Sequence, residues 1–170
     1  MVIVCFLKFV ICDLLSLGMI LGIDPGLANT GWAVIDEGKL IDYGCIETKL
    51  DSNLTARLGK IYTQILGLVK KYEVKEMAVE NLFFAKNVKS AISVAQAIGA
   101  IKIAGFENGI NVVEYTPLQV KSNLVGYGKA EKYQVEMMVR NILGLEKSIK
   151  PSHAADAVAV ALTHCGIMKI

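Results

Sequence analysis

The order of hydrophobic and polar residues predicts a sheet whose first three strands follow one another along the chain. Residues Ile20–Asp24 form a short apolar run that ends in a Pro-Gly turn, and residues 31–35 form a second apolar run. The glycine-containing segment 36–39 indicates a hairpin that leads into a third strand over residues 40–47. The pattern therefore predicts three consecutive antiparallel strands.

The periodicity changes after the third strand. Apolar residues at three- and four-residue spacing predict a helix over residues 52–72, and a strand follows over residues 75–80. Val88–Phe106 has apolar residues on nearly every side, as expected for a helix that is buried on two faces, and a short strand follows over residues 111–114. This alternation predicts an α/β architecture with a mixed sheet.

The C-terminal part of the chain is predicted to be helical. Thr116, Pro117 and Gln119 form a capping box that begins one helix, and residues 125–129, with their glycines, form a flexible loop. Two further helices are expected, one over residues 130–143 and one from residue 151 or 152 to about residue 168.

The first 18 residues differ from the rest of the chain. A length of 170 residues fits one domain, but a hydrophobic fraction of 54% raises the question of a membrane segment. Lys8 and Asp13 interrupt the apolar N-terminal run, and each costs about 2.5 to 3.5 kcal/mol near a bilayer centre. Because Met19 directly precedes the first strand, we expect residues 1–18 to be an N-terminal extension outside the functional protein and residues 19–170 to form a single domain. The intact mass of the native protein tests this expectation.

Cysteine spacing and net charge add little about function. Cys5, Cys12, Cys45 and Cys165 show no CxxC spacing, which favours a reduced, cytoplasmic setting. A net charge of +2 does not by itself indicate a nucleic-acid partner. Any argument for DNA binding therefore depends on where the lysines lie.

Three acidic residues and one histidine are placed where they could form a common site. Asp24 and Glu80 each close a predicted strand, which is where open α/β sheets bind ligands, and they meet if the two strands are neighbours. His153 and Asp156 are three residues apart on the last predicted helix, so their side chains project from one face. Small apolar residues surround this pair on the helix.

Each of these residues also has a simpler interpretation. Asp24 could be only a turn former and Glu80 only a loop carboxylate. His153 and Asp156 could be first-turn residues that complement the helix dipole. A shared cation explains the set better, because three carboxylates within about 4 Å repel by around 4 kcal/mol per pair at an effective dielectric constant near 20. An oxygen-rich ligand set with one imidazole suits Mg²⁺ or Mn²⁺ better than zinc.

Four motifs resemble those of the RuvC Holliday-junction resolvases and occur in the same order as in that family. They are GIDPGLANTGWAV (22–34), AVENLFFAKN (78–87), YTPLQVKSNLVGYGKAEKYQV (115–135) and PSHAADAVAVALTH (151–164). The resemblance covers about residues 19–168, and the four motifs together are far more specific than a DPG turn alone. It implies a ribonuclease H-like fold, with a mixed five-stranded sheet flanked by helices, and the activity of a crossover junction endodeoxyribonuclease.

The resemblance also implies which residues carry the chemistry. Asp24, Glu80 and Asp156 match the family's catalytic, metal-binding carboxylates. His153 matches a fourth position of the same kind, which is Asp in many members and His in others, whereas Ala33 departs from a common glycine with little expected consequence. Two Mg²⁺ ions per active site, or Mn²⁺ in their place, would support hydrolysis that leaves 5′-phosphate and 3′-hydroxyl ends. We expect Asp24 to bridge the two ions.

Lysines and aromatic residues near these motifs are candidates for DNA contact, because phosphate contacts supply most of the affinity of DNA-binding proteins. The resemblance places Lys121 and Lys132 near the scissile phosphate. It also favours Phe83 as the residue that contacts the junction, where an exposed aromatic ring can stack on bases. The alternative for the aromatic residues is that they pack in the core. The alternative for the lysines is that they lie on an ordinary solvated face, and this is the interpretation that we favour for Lys102. The candidate DNA-binding residues are Phe83, Lys86, Lys89, Lys121, Lys129 and Lys132.

The expected substrate bears on assembly. A four-way junction is nearly two-fold symmetric, so the resemblance implies a homodimer that cuts two opposed strands, with the helix Val88–Phe106 as its interface. An internal helix of a monomer is the alternative. The resemblance further implies cooperation with the branch-migration proteins RuvA and RuvB in DNA recombination and repair.

Two other functions compete with the nuclease hypothesis. The strand, DPG turn and TG pair also resemble the phosphate-binding hairpin of actin-like ATPases and sugar kinases, but those enzymes need two such domains and this chain is too short. A non-catalytic module that binds DNA junctions accounts for the lysines and leaves the acidic cluster unexplained. An Asp24→Asn substitution separates binding from cleavage.

Overall fold

Five strands form one mixed sheet in a computed structural model that describes residues 18–81 and 88–166, with the backbone alone at residues 88–90. The strands lie in the order β3-β2-β1-β4-β5. β1, β2 and β3 pair antiparallel, as predicted, whereas β4 pairs parallel with both β1 and β5. Their bounds are β1 Ile20–Asp24, β2 Asn29–Asp36, β3 Lys39–Glu47, β4 Glu76–Glu80 and β5 Asn111–Tyr115.

Several helices begin or end at residues whose capping interactions satisfy the backbone. Their bounds are α1 Leu54–Lys71, α2 Val88–Phe106, α3 Pro117–Val125, α4 Lys132–Leu143 and α5 Ser152–Cys165. The capping box at Thr116 is present as predicted. α5 ends three residues earlier than predicted because Gly166 takes a left-handed conformation, with φ of 67°. Within the described parts of the chain, no helix is long and apolar enough to cross a membrane.

The sheet is covered on both faces. On one face, Leu21, Ile23 and Val34 pack in a buried cluster with residues of α1 and α2, while on the other face Ile20 and Ile35 pack with α5. α3 and α4 complete this second layer through their contacts with α5. The alternation of β1 and β2 residues between the two clusters follows from the period of two in a strand. The predicted α/β architecture is therefore confirmed.

Two glycines allow α5 to lie directly on the sheet. A Cβ added at Gly22 in β1 would lie 2.4 Å from the carbonyl oxygen of Ala157, and one added at Gly31 in β2 would lie 1.9 Å from that of His153. Real side chains cannot occupy these positions, so only glycine permits the close approach. The N-terminal turn of α5 is thereby held beside the ends of β1 and β2.

Candidate active site

Asp24 and Glu80 lie side by side at one edge of the sheet. β1 and β4 are adjacent and parallel, and their register pairs Ile23 with Val79, the residues immediately before the two carboxylates. The two carboxyl groups lie close enough for a protonated Glu80 to donate a hydrogen bond to Asp24. The structure thus brings together the carboxylates that the sequence placed at two separate strand ends.

α5 adds His153 and Asp156 to this pair. The imidazole Nδ1 of His153 lies 2.7 Å from Oδ2 of Asp24. Asp24, His153 and Asp156 each offer one ligand atom, and these three atoms lie within 4.8 Å of one another. When Asp24 is ionised, Nδ1 of His153 must donate this hydrogen bond, and a neutral ring then keeps a lone pair on Nε2.

The cluster concentrates negative charge in a partly desolvated place. Burial, followed by the neighbouring carboxylates of Asp24 and Asp156, raises the pKa of Glu80 to about 8. Burial also raises the pKa of Asp24, and Asp156 adds to this effect, although the hydrogen bond from His153 opposes it. Carboxylates held in this way resist ionisation unless a positive charge joins them. Together with the imidazole of His153, they form a donor set that fits a hard divalent cation.

One lysine reaches this cluster from α4. Nζ of Lys132 lies 2.6 Å from Oδ2 of Asp156, and the Lys132 side chain remains 61% exposed. Its ammonium group also lowers the pKa of Glu80, although burial outweighs that effect. Lys132 therefore places an exposed positive charge at the rim of the carboxylate cluster.

The other DNA-binding candidates are spread more widely. Lys121 is partly buried on α3, and Lys129 is exposed in the loop between α3 and α4. Lys89 lies on α2, but its side chain is outside the described residues, as are Phe83 and Lys86 altogether. Lys102 forms an ion pair with Glu114, in keeping with an ordinary solvated face.

A further contact beside this edge, which no sequence motif indicated, involves Arg57 in the first turn of α1. Its Nε donates to Oγ1 of Thr48 at 2.7 Å, and that hydroxyl donates to the carbonyl oxygen of Leu27 at 2.6 Å. Arg57 was overlooked because this contact joins residues that are distant in the chain. The one available signal was composition, since arginine occurs only at positions 57 and 140 of a chain rich in lysine.

Comparisons with known sequences agree on one family. The family model for crossover junction endodeoxyribonuclease RuvC matches residues 20–164. A crossover junction endodeoxyribonuclease RuvC of Clostridioides difficile is 48% identical over 156 residues, which cover 89% of this chain and 92% of that protein. The RuvC of Fusobacterium nucleatum is also 48% identical, over 149 residues that cover 85% of this chain and 78% of that protein.

Solved structures give the same result for the fold. A structure of Thermus thermophilus RuvC matches with a TM-score of 0.81 and 37% identity, and the match covers 87% of this chain and 93% of that one. The same protein in complex with a Holliday junction substrate matches with a TM-score of 0.80 and 36% identity, over 88% and 93% of the two chains. The fold is therefore ribonuclease H-like, as expected. The motifs, the family model and these relatives together establish that the chain belongs to the RuvC family of crossover junction endodeoxyribonucleases.

Proposed function

We propose that this protein resolves Holliday junctions by hydrolysing phosphodiester bonds at the cluster of Asp24, Glu80, His153 and Asp156. The observation that carries the proposal is that ligand atoms of Asp24, His153 and Asp156 lie within 4.8 Å of one another, beside Glu80 at the end of the adjacent strand β4, in a chain of the RuvC family. A relative of known structure binds a Holliday junction substrate. The proposed products carry 5′-phosphate and 3′-hydroxyl ends.

The proposed cofactor is a pair of Mg²⁺ ions, with Mn²⁺ as the alternative. Support comes from the donor set, which offers three carboxylates and one imidazole. The raised pKa of Glu80, caused first by burial and then by the neighbouring carboxylates of Asp24 and Asp156, also favours a bound cation. Asp24 lies between Glu80 and His153 and is our choice for the ligand shared by both ions. When bound, such ions activate a water molecule, hold the scissile phosphate and stabilise the leaving 3′-oxygen.

The chain's own residues then have separate tasks. His153 holds the Asp24 carboxylate through its Nδ1 proton, which orients the ligand oxygens. Lys132, exposed beside Asp156, offers its ammonium group to a phosphate of the bound strand. Lys121 and Lys129 extend this positive charge along α3 and the loop that follows it, and Phe83, Lys86 and Lys89 stay candidates for the remaining contacts.

A homodimer fits paired incision of a two-fold symmetric junction. On α2, Ala97, Ile98 and Ile101 are buried against the rest of the protein. The same helix leaves Ile103 and Phe106 exposed, at 55% and 83%. A helix with one apolar face covered and another apolar face in solvent supports a subunit interface rather than an internal helix of a monomer.

The proposal has two further parts, of which only the first rests on family membership. Cooperation with the branch-migration proteins RuvA and RuvB would supply junctions to the enzyme. A cytoplasmic setting agrees with the free thiols of Cys45 and Cys165.

The decisive experiment compares synthetic four-way junctions, linear duplex and flap DNA with and without Mg²⁺ or Mn²⁺. We expect symmetric cuts in the junction alone, and only when metal is present. Asp24→Asn should retain junction binding and lose cleavage, because it removes the shared ligand charge. Unchanged cleavage by that variant would disprove the metal-site proposal, and junction binding by a wild-type protein that never cuts would favour the non-catalytic module.

A further inference from the structure

Arg57 lies at the same edge of the sheet as the candidate active site. β1 and β3 both pair antiparallel with β2, so they run in the same direction and end at the same edge. Asp24 closes β1 there, and Thr48 follows the end of β3. α1 begins at Leu54 and carries Arg57 within its first turns, on the face of the sheet opposite to α5.

The turn between β1 and β2 fixes the guanidinium group in place. Thr48 is only 8% exposed, and its backbone N–H donates to the carbonyl oxygen of Ala28 at 2.9 Å. Its hydroxyl donates to Leu27 at 2.6 Å and accepts from Nε of Arg57 at 2.7 Å. Arg57 is therefore tethered to a turn that begins immediately after Asp24.

The two outer nitrogens of Arg57 have no hydrogen-bond partner among the residues that the structure describes. Among residues 18–81 and 88–166, its two Nη groups make no hydrogen bond, and no carboxylate lies within 4.0 Å of them. Arg140 is different, because its Nη2 donates to the carbonyl oxygen of Glu146 at 2.5 Å and its Nε to that of Leu145. Arg140 serves to hold a loop, whereas in the described parts of the chain the two Nη groups of Arg57 remain available to a ligand.

A guanidinium fork held at its Nε is well suited to a phosphate. Arginine is always charged, and its planar array of donors matches two phosphate oxygens at once. The tether reduces the side-chain entropy that a free arginine would lose on binding. Lys132 presents its charge from α4. The two cations therefore lie on opposite faces of the sheet, at the edge where Asp24 closes β1.

We infer that Arg57 binds a backbone phosphate of the DNA strand that enters the active site, with its Nε held by Thr48 and its Nη groups turned to the phosphate oxygens. This inference rests on the proposed function. It makes Arg57 a residue that sets the path of the DNA, alongside the lysines of α3 and α4.

The test is the salt dependence of junction binding, measured in EDTA so that no cleavage occurs. Each phosphate contact contributes about 0.9 to the slope of log affinity against log salt. Arg57→Gln should lower that slope by about one and weaken binding roughly tenfold at low salt. Lys60→Ala is the matched control, because Lys60 is an exposed cation three residues further along α1. We expect the Lys60→Ala slope to fall by much less.

Several outcomes would overturn the inference. An unchanged slope for a folded Arg57→Gln protein, or an equal fall in Lys60→Ala, would assign the arginine to holding the turn or to general charge. If Arg57→Gln does not fold, Arg57→Lys replaces it. We expect Arg57→Lys to keep the slope, because the charge remains. It should lose affinity severalfold, because one ammonium group cannot both bond to Thr48 and bind two phosphate oxygens. Wild-type affinity in Arg57→Lys would contradict the inference. The wild-type protein is assayed with metal in parallel, and its failure to cut junctions would count against the proposed function instead.

Discussion

Gly31 and His153 touch backbone to backbone, since a Cβ on Gly31 would lie 1.9 Å from the His153 carbonyl oxygen. Gly22 makes the same kind of contact one helical turn further along α5, where a Cβ would lie 2.4 Å from the carbonyl oxygen of Ala157. These contacts set the height of α5 above the sheet. The distance from His153 and Asp156 to Asp24 therefore depends on two residues that carry no side chain.

Gly31→Ala should damage both stability and cleavage. The added methyl group meets backbone atoms that cannot rotate away, so α5 must shift, and overpacking of this kind costs about 1 to 3 kcal/mol. We expect a lower melting temperature and a loss of junction cleavage larger than the loss of junction binding. Thermal unfolding and cleavage assays under metal saturation measure the two effects.

Gly59→Ala is the control for this substitution. Gly59 lies on α1, and a Cβ there meets no atom within 4 Å. Alanine should stabilise that helix by about 0.5 to 1 kcal/mol and leave cleavage unchanged. A Gly31→Ala protein as stable and active as Gly59→Ala would show that β2 and α5 can separate without consequence for the site.

Local signals explain why most of the fold could be predicted from the sequence. The bounds of β1 and α2 were predicted to the residue, and the capping box at Thr116 also lay within a few residues of sequence. α4 begins two residues later than predicted because the Glu131 N–H bonds to the side chain of Gln134. Periodicity and capping depend on neighbours in the chain, so they can be recognised without knowledge of the tertiary structure.

The site was harder to predict because it joins distant segments. That Asp24 meets Glu80 depended on β1 and β4 being neighbours, which no local pattern requires. The contact of Arg57 with Thr48 and the close approach of Gly31 to α5 were not foreseen. Glycine within an apolar strand is a signal for close backbone approach, and it was present at both Gly22 and Gly31.

The stability of the metal-free protein should fall as the pH rises from about 5 to about 8. The pKa of Glu80 is raised from 4.5 to about 8 in the folded protein, so the folded state keeps a proton that the unfolded chain loses at lower pH. Unfolding is then favoured as the pH rises through this window, and the raised pKa of Asp24 acts in the same direction. Glu80→Gln should remove most of the effect.

Added Mg²⁺ should reverse this dependence. Binding requires ionised carboxylates, so the cation competes with the Glu80 proton and its apparent affinity increases with pH up to about 8. The rise in melting temperature on adding Mg²⁺ should therefore be larger near pH 8 than near pH 6, in line with mass action. A metal effect that is independent of pH, or equal in Glu80→Gln, would contradict this role of Glu80.

Substitution of His153 should change which cation supports cleavage. Imidazole nitrogen suits Mn²⁺ better than Mg²⁺, which prefers oxygen ligands, so the wild-type protein should favour Mn²⁺. His153→Asp should stay active and shift toward Mg²⁺, whereas His153→Ala should lose on the order of 10- to 100-fold in cleavage. Titration of both metals against junction cleavage measures this, and an identical metal preference in all three proteins would remove His153 from the ligand set.

The exposed face of α2 should control the oligomeric state. Ile103 is 55% exposed on this helix, and Ile103→Glu places a charge in the proposed subunit interface, which should weaken the dimer by at least about tenfold, or 1.4 kcal/mol. Ile41→Glu is the matched control, because Ile41 is 46% exposed on the edge strand β3 and undergoes the same chemical change.

In sedimentation velocity at micromolar concentration, we expect dimers of the wild-type and Ile41→Glu proteins and monomers of Ile103→Glu. The Ile103→Glu monomer should also cut junctions on one strand at a time, since paired incision needs two active sites on one junction. Monomeric wild-type protein, or equal dissociation in both variants, would place the second subunit elsewhere or exclude it.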